Sequence, residues 1–282
     1  MTQPKRIEYI DALRGFTMIL VVLYHVEIYG FQNDPTILCR ILMTFRMPLF
    51  FFISGYIAYK ANKIWNAGTY ITDSLKKTKV QLIPTLIFGL FYAYLIDGSN
   101  FVTFFTEPLK LGYWFTLTLL SMFIIYYTSS FLYTKAVCRN DQTTINDKRF
   151  GFATLLVAIV GAVIISEKLF LRVFPDLALT YNILSLNQLS SYLPFFACGV
   201  IASMYKQQFN QITDNKYAIT LILFLFITIT TIRILLLQQP EDIVAKYDLY
   251  IKFSMGVNGL LGITVVYKFF QKHQESFTQD KW

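Results

Sequence analysis

Metal and redox chemistry have little to work with in this chain. Its 282 residues hold three cysteines and two histidines. Cys39, Cys138 and Cys198 are scattered and lack the paired spacing of a metal site, so no metal is expected. There is no Walker loop, no G-x-G-x-x-G and no H-E-x-x-H. Those absences argue against an ATP-driven pump and a zinc protease. Internal repeats, low-complexity tracts and a soluble domain are also missing. The longest polar stretches, 60–79 and 135–149, are too short to fold alone. Chemistry must therefore happen within the apolar segments or at their faces.

Apolar segments dominate. Hydrophobic residues make up 55% of the chain and the mean hydropathy is +0.48, above the usual soluble range. The excess is gathered in runs of around 20 residues, long enough to cross a bilayer. This predicts an all-α fold, a polytopic transmembrane helix bundle of about eight spans. The spans fall near 12–31, 37–59, 80–96, 112–134, 150–166, 188–205, 217–237 and 249–270. Pro48, Pro84 and Pro194 lie inside spans two, three and six and predict kinks. The fifth span is the weakest, and the mixed segment 167–187 leaves room for a re-entrant or interfacial piece. The whole of 1–282 reads as a single integral-membrane domain.

The net charge of +8 would suggest nucleic acid in a soluble protein. Here the basic residues cluster between apolar runs, so no nucleic acid is expected and the partners are membrane lipids. With the N-terminus inside, sixteen Lys and Arg residues, from Lys5 to Lys281, fall in inner segments. Only four, Lys110, Lys168, Arg172 and Lys246, fall in outer ones. That bias predicts both termini in the cytoplasm. Cys138 is then inside and Cys39 near the outer face, which implies no disulfide. The first apolar run is too long for a signal peptide and reads as a retained helix.

Arg14 and His25 stand out in the first span. Eleven residues make about three helical turns plus 20°, so the two share one stripe roughly 16 Å long. Ionisable groups at membrane depth are costly and mark pathways or reaction sites. The bland alternative is a snorkelling Arg14 and a hydrogen-bonded core His25. Gly15, Met18 and Val22 continue the stripe, and Asp11 is placed to pair with Arg14. A long, flexible ligand with a charged head fits such a face. A neutral imidazole can take a proton from a hydroxyl and hand it on. Glu27 points about 200° away from His25 and is a poor partner for it.

Arg46, in the second span, should reach the depth of His25, because spans one and two run in opposite directions. It is either a structural pair or an anion clamp. Lys76, Lys77 and Lys79 precede the third span. They serve as topology signals that attract acidic lipid heads, or as contacts for cofactor phosphates arriving from the cytoplasm. Ser54-Gly55 reads as helix packing, Trp114-Phe115 as an interfacial belt, and Arg233 as a snorkelling residue.

These segments carry a family likeness. RIEYIDALRGFTMILVVLYHV resembles the opening of the membrane-bound acyltransferase-3 family, whose hallmark is Arg, ten residues, His in the first helix. RMPLFFFISGY at 46–56, KVQLIPTLIFG at 79–89, GYWFTLTLL at 112–120 and SYLPFFACGVIAS at 191–203 are similar to its later motifs. The resemblance implies a membrane O-acyltransferase. Such an enzyme moves an acyl group, usually acetyl from acetyl-CoA, to a hydroxyl of a cell-envelope sugar or polysaccharide. It implies that His25 is the catalytic histidine and Arg14 an essential arginine. Arg14, Arg46, Lys77 and Lys79 then become candidates for binding acyl-CoA, and the location would be the bacterial inner membrane. General-base and acyl-histidine routes both remain open. Two departures are visible. Relatives commonly have about ten spans, and Val80 stands where many have Arg. The alternatives are a carrier or flippase for an anionic lipid or glycan, and an inactive truncated paralogue.

Overall fold

A computed structural model of the chain describes residues 8–30, 36–61, 63, 65–95, 98, 101–137 and 145–274. Cys138 and the basic residues Lys5, Arg6, Arg139 and Lys281 lie outside the described residues. The helices are α1 (Glu8–His25), α2 (Ile37–Ala58), α3 (Ala67–Leu95), α4 (Phe101–Thr106), α5 (Trp114–Val137), α6 (Ile145–Val173), α7 (Ala178–Ile183), α8 (Leu186–Met204), α9 (Lys206–Asp214), α10 (Lys216–Leu237), α11 (Glu241–Lys246) and α12 (Asp248–Lys272). No strand occurs among the described residues, so the fold is all-α. Seven of the spans expected from hydropathy fall, within two residues at each end, on one helix each, α2, α3, α5, α6, α8, α10 and α12, whereas the first, 12–31, runs past the end of α1 at His25 into a π-helical turn, Val26–Gly30.

Six helices among the described residues are long and apolar enough to cross a membrane: α2, α3, α5, α6, α10 and α12. The helices continue through Pro48, Pro84 and Pro194. Two helices are longer than expected, for local reasons. Asn66 and Thr69 cap each other: Thr69 N–H donates to Asn66 Oδ1 at 2.8 Å, and Asn66 N–H donates to Thr69 Oγ1 at 2.9 Å. This reciprocal cap starts α3 at Ala67, so Lys76, Lys77 and Lys79 are helical rather than in a preceding loop. The weak fifth span is part of a 29-residue helix that stops only at Val173, two residues before Pro175. A 3-10 turn at Pro175–Leu177 and the short α7 fill the rest of the mixed segment.

The chain divides into two compact units, 1–57 with 198–282, and 58–197. In the first unit α2 is central, with 56% of its apolar window buried, whereas α10 has 6% buried and the highest mean hydropathy, 2.5. A helix apolar on all sides and mostly uncovered suits lipid contact. Side chains of α2, α10 and α12 meet where the Phe45 and Phe226 rings pack at 5.9 Å. Gly262 lies against both: a Cβ there would come 2.7 Å from Phe45 and 3.1 Å from Phe226. At the far end of α2 and α12, Tyr9 and Tyr56 hydroxyls meet that of Tyr267 at 3.1 and 3.4 Å. Tyr267 donates on to Asn210 of α9 at 3.1 Å.

In the second unit α3 and α5 run side by side, tied by Thr85 donating to Thr116 at 2.7 Å. Phe123, Tyr126 and Tyr127 of α5 form an aromatic core with Phe152, Phe196 and Trp65. Lys110 is fully buried. Its ammonium donates to the carbonyls of Asn182 at 2.6 Å and Glu107 at 3.3 Å. It thereby joins the C-terminal ends of α4 and α7, where the helix dipole favours a cation.

Candidate active site

The first unit builds its site on α1. Tyr9, Ile10, Leu13, Thr17 and Leu20 form the buried face of this helix. The opposite stripe is open. Arg14, Met18, Val22 and His25 are all exposed, and a Cβ at Gly15 would meet nothing within 4 Å. The stripe expected from the eleven-residue spacing is thus present as accessible surface. Asp11 pairs with Arg14 at 3.7 Å, but the Arg14 side chain remains 61% exposed. That pair leaves most of the guanidinium accessible.

His25 is the last residue of α1, and a π-helical turn, Val26–Gly30, follows. Such turns are frequent at functional sites. The ring Nδ1 lies 2.7 Å from the Val21 carbonyl. A carbonyl can only accept, so Nδ1 carries the proton and donates. The neutral ring then has its lone pair on Nε2, the nitrogen suited to act as a base. Glu27 is engaged elsewhere, as expected: its Oε1 accepts the Thr36 N–H at 2.6 Å, beside the start of α2.

Arg46 comes to the level predicted for it. Its guanidinium lies 3.7 Å from the centroid of Tyr24. The Tyr24 and His25 rings meet edge to face at 5.5 Å. Tyr24 therefore links Arg46 to the histidine. Sequence reasoning missed Tyr24, because a cation–π contact between helices leaves no spacing to read.

The lysines divide within the second unit. Lys76 and Lys79 are exposed, while Lys77 is half-buried with its ammonium 3.8 Å from the centroid of Phe123. Trp114 is stacked on Tyr192, with centroids 5.3 Å apart and 24° between planes. It is a packed residue rather than a lipid-facing belt residue. Ser54 donates to the Phe50 carbonyl at 2.9 Å, in keeping with a structural role. Arg233, expected to snorkel, is half-buried, with its Nε shut away from solvent. Among the described residues no group of three or more His, Cys, Asp or Glu side chains could hold a metal ion. A groove of about 240 Å³ between α2 and α10 is lined by Ile37, Ile41, Phe226, Ile227, Thr230 and Ile234, among others. It contains no titratable group.

An exposed histidine of fixed tautomer, an arginine at the other end of one open stripe and a second arginine beside the histidine can together serve proton transfer and anion binding. Residues 7–278 match the acyltransferase-3 family, described as an acyltransferase domain. No curated protein and no solved structure matches the chain. The match covers nearly the whole sequence, and the chain therefore belongs to the acyltransferase-3 family of integral membrane acyltransferases, which transfer groups other than amino-acyl groups.

Proposed function

We propose that this acyltransferase moves an acetyl group from acetyl-CoA to a hydroxyl of a cell-envelope sugar or polysaccharide. The reading extends to 1–282 as one catalytic domain in the bacterial inner membrane, with all eight long helices crossing and both termini in the cytoplasm. The basic bias of the inner segments supports that orientation. Acyl-CoA is made in the cytoplasm and envelope glycans are finished outside, so donor and acceptor approach from opposite faces.

The His25 Nδ1 contact with the Val21 carbonyl carries the catalytic assignment. Nε2 of the neutral ring takes the proton of the acceptor hydroxyl. The hydroxyl oxygen bonds to the thioester carbon, and the C–S bond breaks. The departing thiolate takes the proton back from the imidazolium, giving an acetyl ester and free CoA. The open stripe from Arg14 to His25, roughly 16 Å by helical rise, suits an extended pantetheine arm. Arg14 holds a phosphate at one end, and Arg46 holds an anionic donor or acceptor group beside His25. Lys77 and Lys79 receive phosphates on the cytoplasmic side.

Purified protein given acetyl-labelled acetyl-CoA and a glycan panel tests this directly. Label should appear in an alkali-labile ester on a glycan. A carrier would move its cargo without forming that bond, and an inactive paralogue would leave the label in CoA. Either result would overturn the proposal.

A further inference from the structure

Asn258 and Arg233 are polar residues of the first unit that the reaction above does not use. Asn258 lies in the middle of α12 and is fully buried. Its side-chain NH2 donates to the Thr230 hydroxyl of α10 at 3.1 Å, and its Oδ1 has no protein partner. Turning the amide over would exchange the two atoms, and one side of the group would still be left unpartnered. Arg233 follows Thr230 by three residues, on the same side of α10. It is half-buried, and its Nε is buried without a hydrogen-bond partner. A buried amide thus holds one hydroxyl of α10, and a buried guanidinium N–H belongs to a residue three positions further along the same side of that helix.

Helix adhesion accounts for the Asn258–Thr230 bond but not for the buried Asn258 Oδ1 and Arg233 Nε left without partners. A buried donor or acceptor left unmade is destabilising, and apolar groups of the same shape would pack at least as well. The position of the cluster points to a use. Gly262 faces Phe226 across the α10–α12 seam, and one turn further along lies the Thr230–Asn258 pair. Phe45, which touches both Gly262 and Phe226, is the neighbour of Arg46, and Arg46 lies over Tyr24 beside His25. The cluster therefore stands about one and a half helical turns, roughly 7.5 Å along the helix axes, from the level of Arg46. It is displaced toward the C-terminal end of α10, the outer end in the orientation proposed above.

We infer that Asn258, Thr230 and Arg233 form a subsite for the hydroxyls of the acceptor sugar; this rests on the acyltransferase reading above. A hydroxyl both donates and accepts, so it suits the amide in either orientation and the Arg233 N–H as well. Arg233, only half-buried, carries the site toward the surface from which a glycan arrives.

The test compares wild type, Asn258→Leu, Thr230→Val and Thr230→Ser, each purified. They are assayed with acetyl-CoA and de-O-acetylated envelope glycan, and Tm is measured alongside. Asn258→Leu and Thr230→Val should raise the acceptor KM at least tenfold while shifting the acetyl-CoA KM less than twofold. Thr230→Ser should restore the wild-type acceptor KM. The Tm of Asn258→Leu should equal or exceed that of wild type, since an unpartnered polar group has been removed. A lowered Tm with donor and acceptor constants worsening in parallel would make the cluster structural glue and overturn the inference. Wild-type acceptor KM in Asn258→Leu would overturn it too. If wild type itself transfers no acetyl group, the acyltransferase reading fails first and takes the subsite with it.

Discussion

In the proposed reaction His25 acts through Nε2, because Nδ1 is tied to its own helix. His25→Asn keeps some hydrogen bonding but has no base near neutral pH. It should lower transfer at least ~100-fold, the lower end of general-base catalysis, with membrane level unchanged. Arg14→Lys separates anchor from ligand. Both residues snorkel, so an anchor tolerates Lys, whereas a bidentate grip on phosphate does not. Arg14→Lys should raise the acetyl-CoA KM at least tenfold at unchanged expression; a wild-type KM would reduce Arg14 to an anchor. The stripe of these two residues was legible in the sequence, because helical spacing alone defines it. The depth of Arg46 followed from counting rise along antiparallel spans. The Thr230–Asn258 pair was not legible, because it depends on the register of two helices packed over a span of 28 residues. The burial of the Arg233 Nε was not legible either: position along a helix gives depth but not facing.

Helix ends were harder to read than helix cores. Hydropathy located the apolar centres of α3 and α6 but stopped short at polar turns that caps and neighbours keep helical. Close backbone approach is a second feature that hydropathy does not see. A Cβ at Gly199 of α8 would run into the Phe52 carbonyl and the Tyr56 amide of α2. Gly199→Ala should therefore cost at least about 1–3 kcal/mol by overpacking, seen as a Tm lower by several degrees in detergent. An unchanged Tm would mean that α2 and α8 are not in close backbone contact there. The buried tie between α4 and α7 has its own signature. Lys110 (φ 46°) and Ser185 (φ 51°), which brackets α7, both hold left-handed backbone. Burial lowers the Lys110 pKa from 10.5 to about 8. A folded pKa below the unfolded one means that the unfolded chain binds more protons between pH 8 and 10.5. Stability should therefore rise with pH across that window. The Tm of wild type should climb from pH 8 to 10 more than that of Lys110→Met, and equal slopes would remove Lys110 as the cause.

At the scale of the whole molecule, the proposed direction of the reaction rests on the excess of basic residues in the segments read as inner. Reporter fusions after residues 142 and 211 should report cytoplasm, and fusions after 103 and 243 the outside. Fusions at 142 and 211 on opposite sides would show that α6 or the 167–187 segment does not cross as proposed, and the donor and acceptor faces would need reassignment. The fold class was legible because long apolar runs leave only helices as a way to satisfy the backbone in lipid. The division into two compact units was not, since it depends on which helices pack together. The most direct measurement is transfer of labelled acetyl from acetyl-CoA to envelope glycan in membranes holding equal amounts of wild type or His25→Asn. The account predicts labelled glycan ester with wild type and at least ~100-fold less with the mutant. Equal labelling by the two proteins would contradict it.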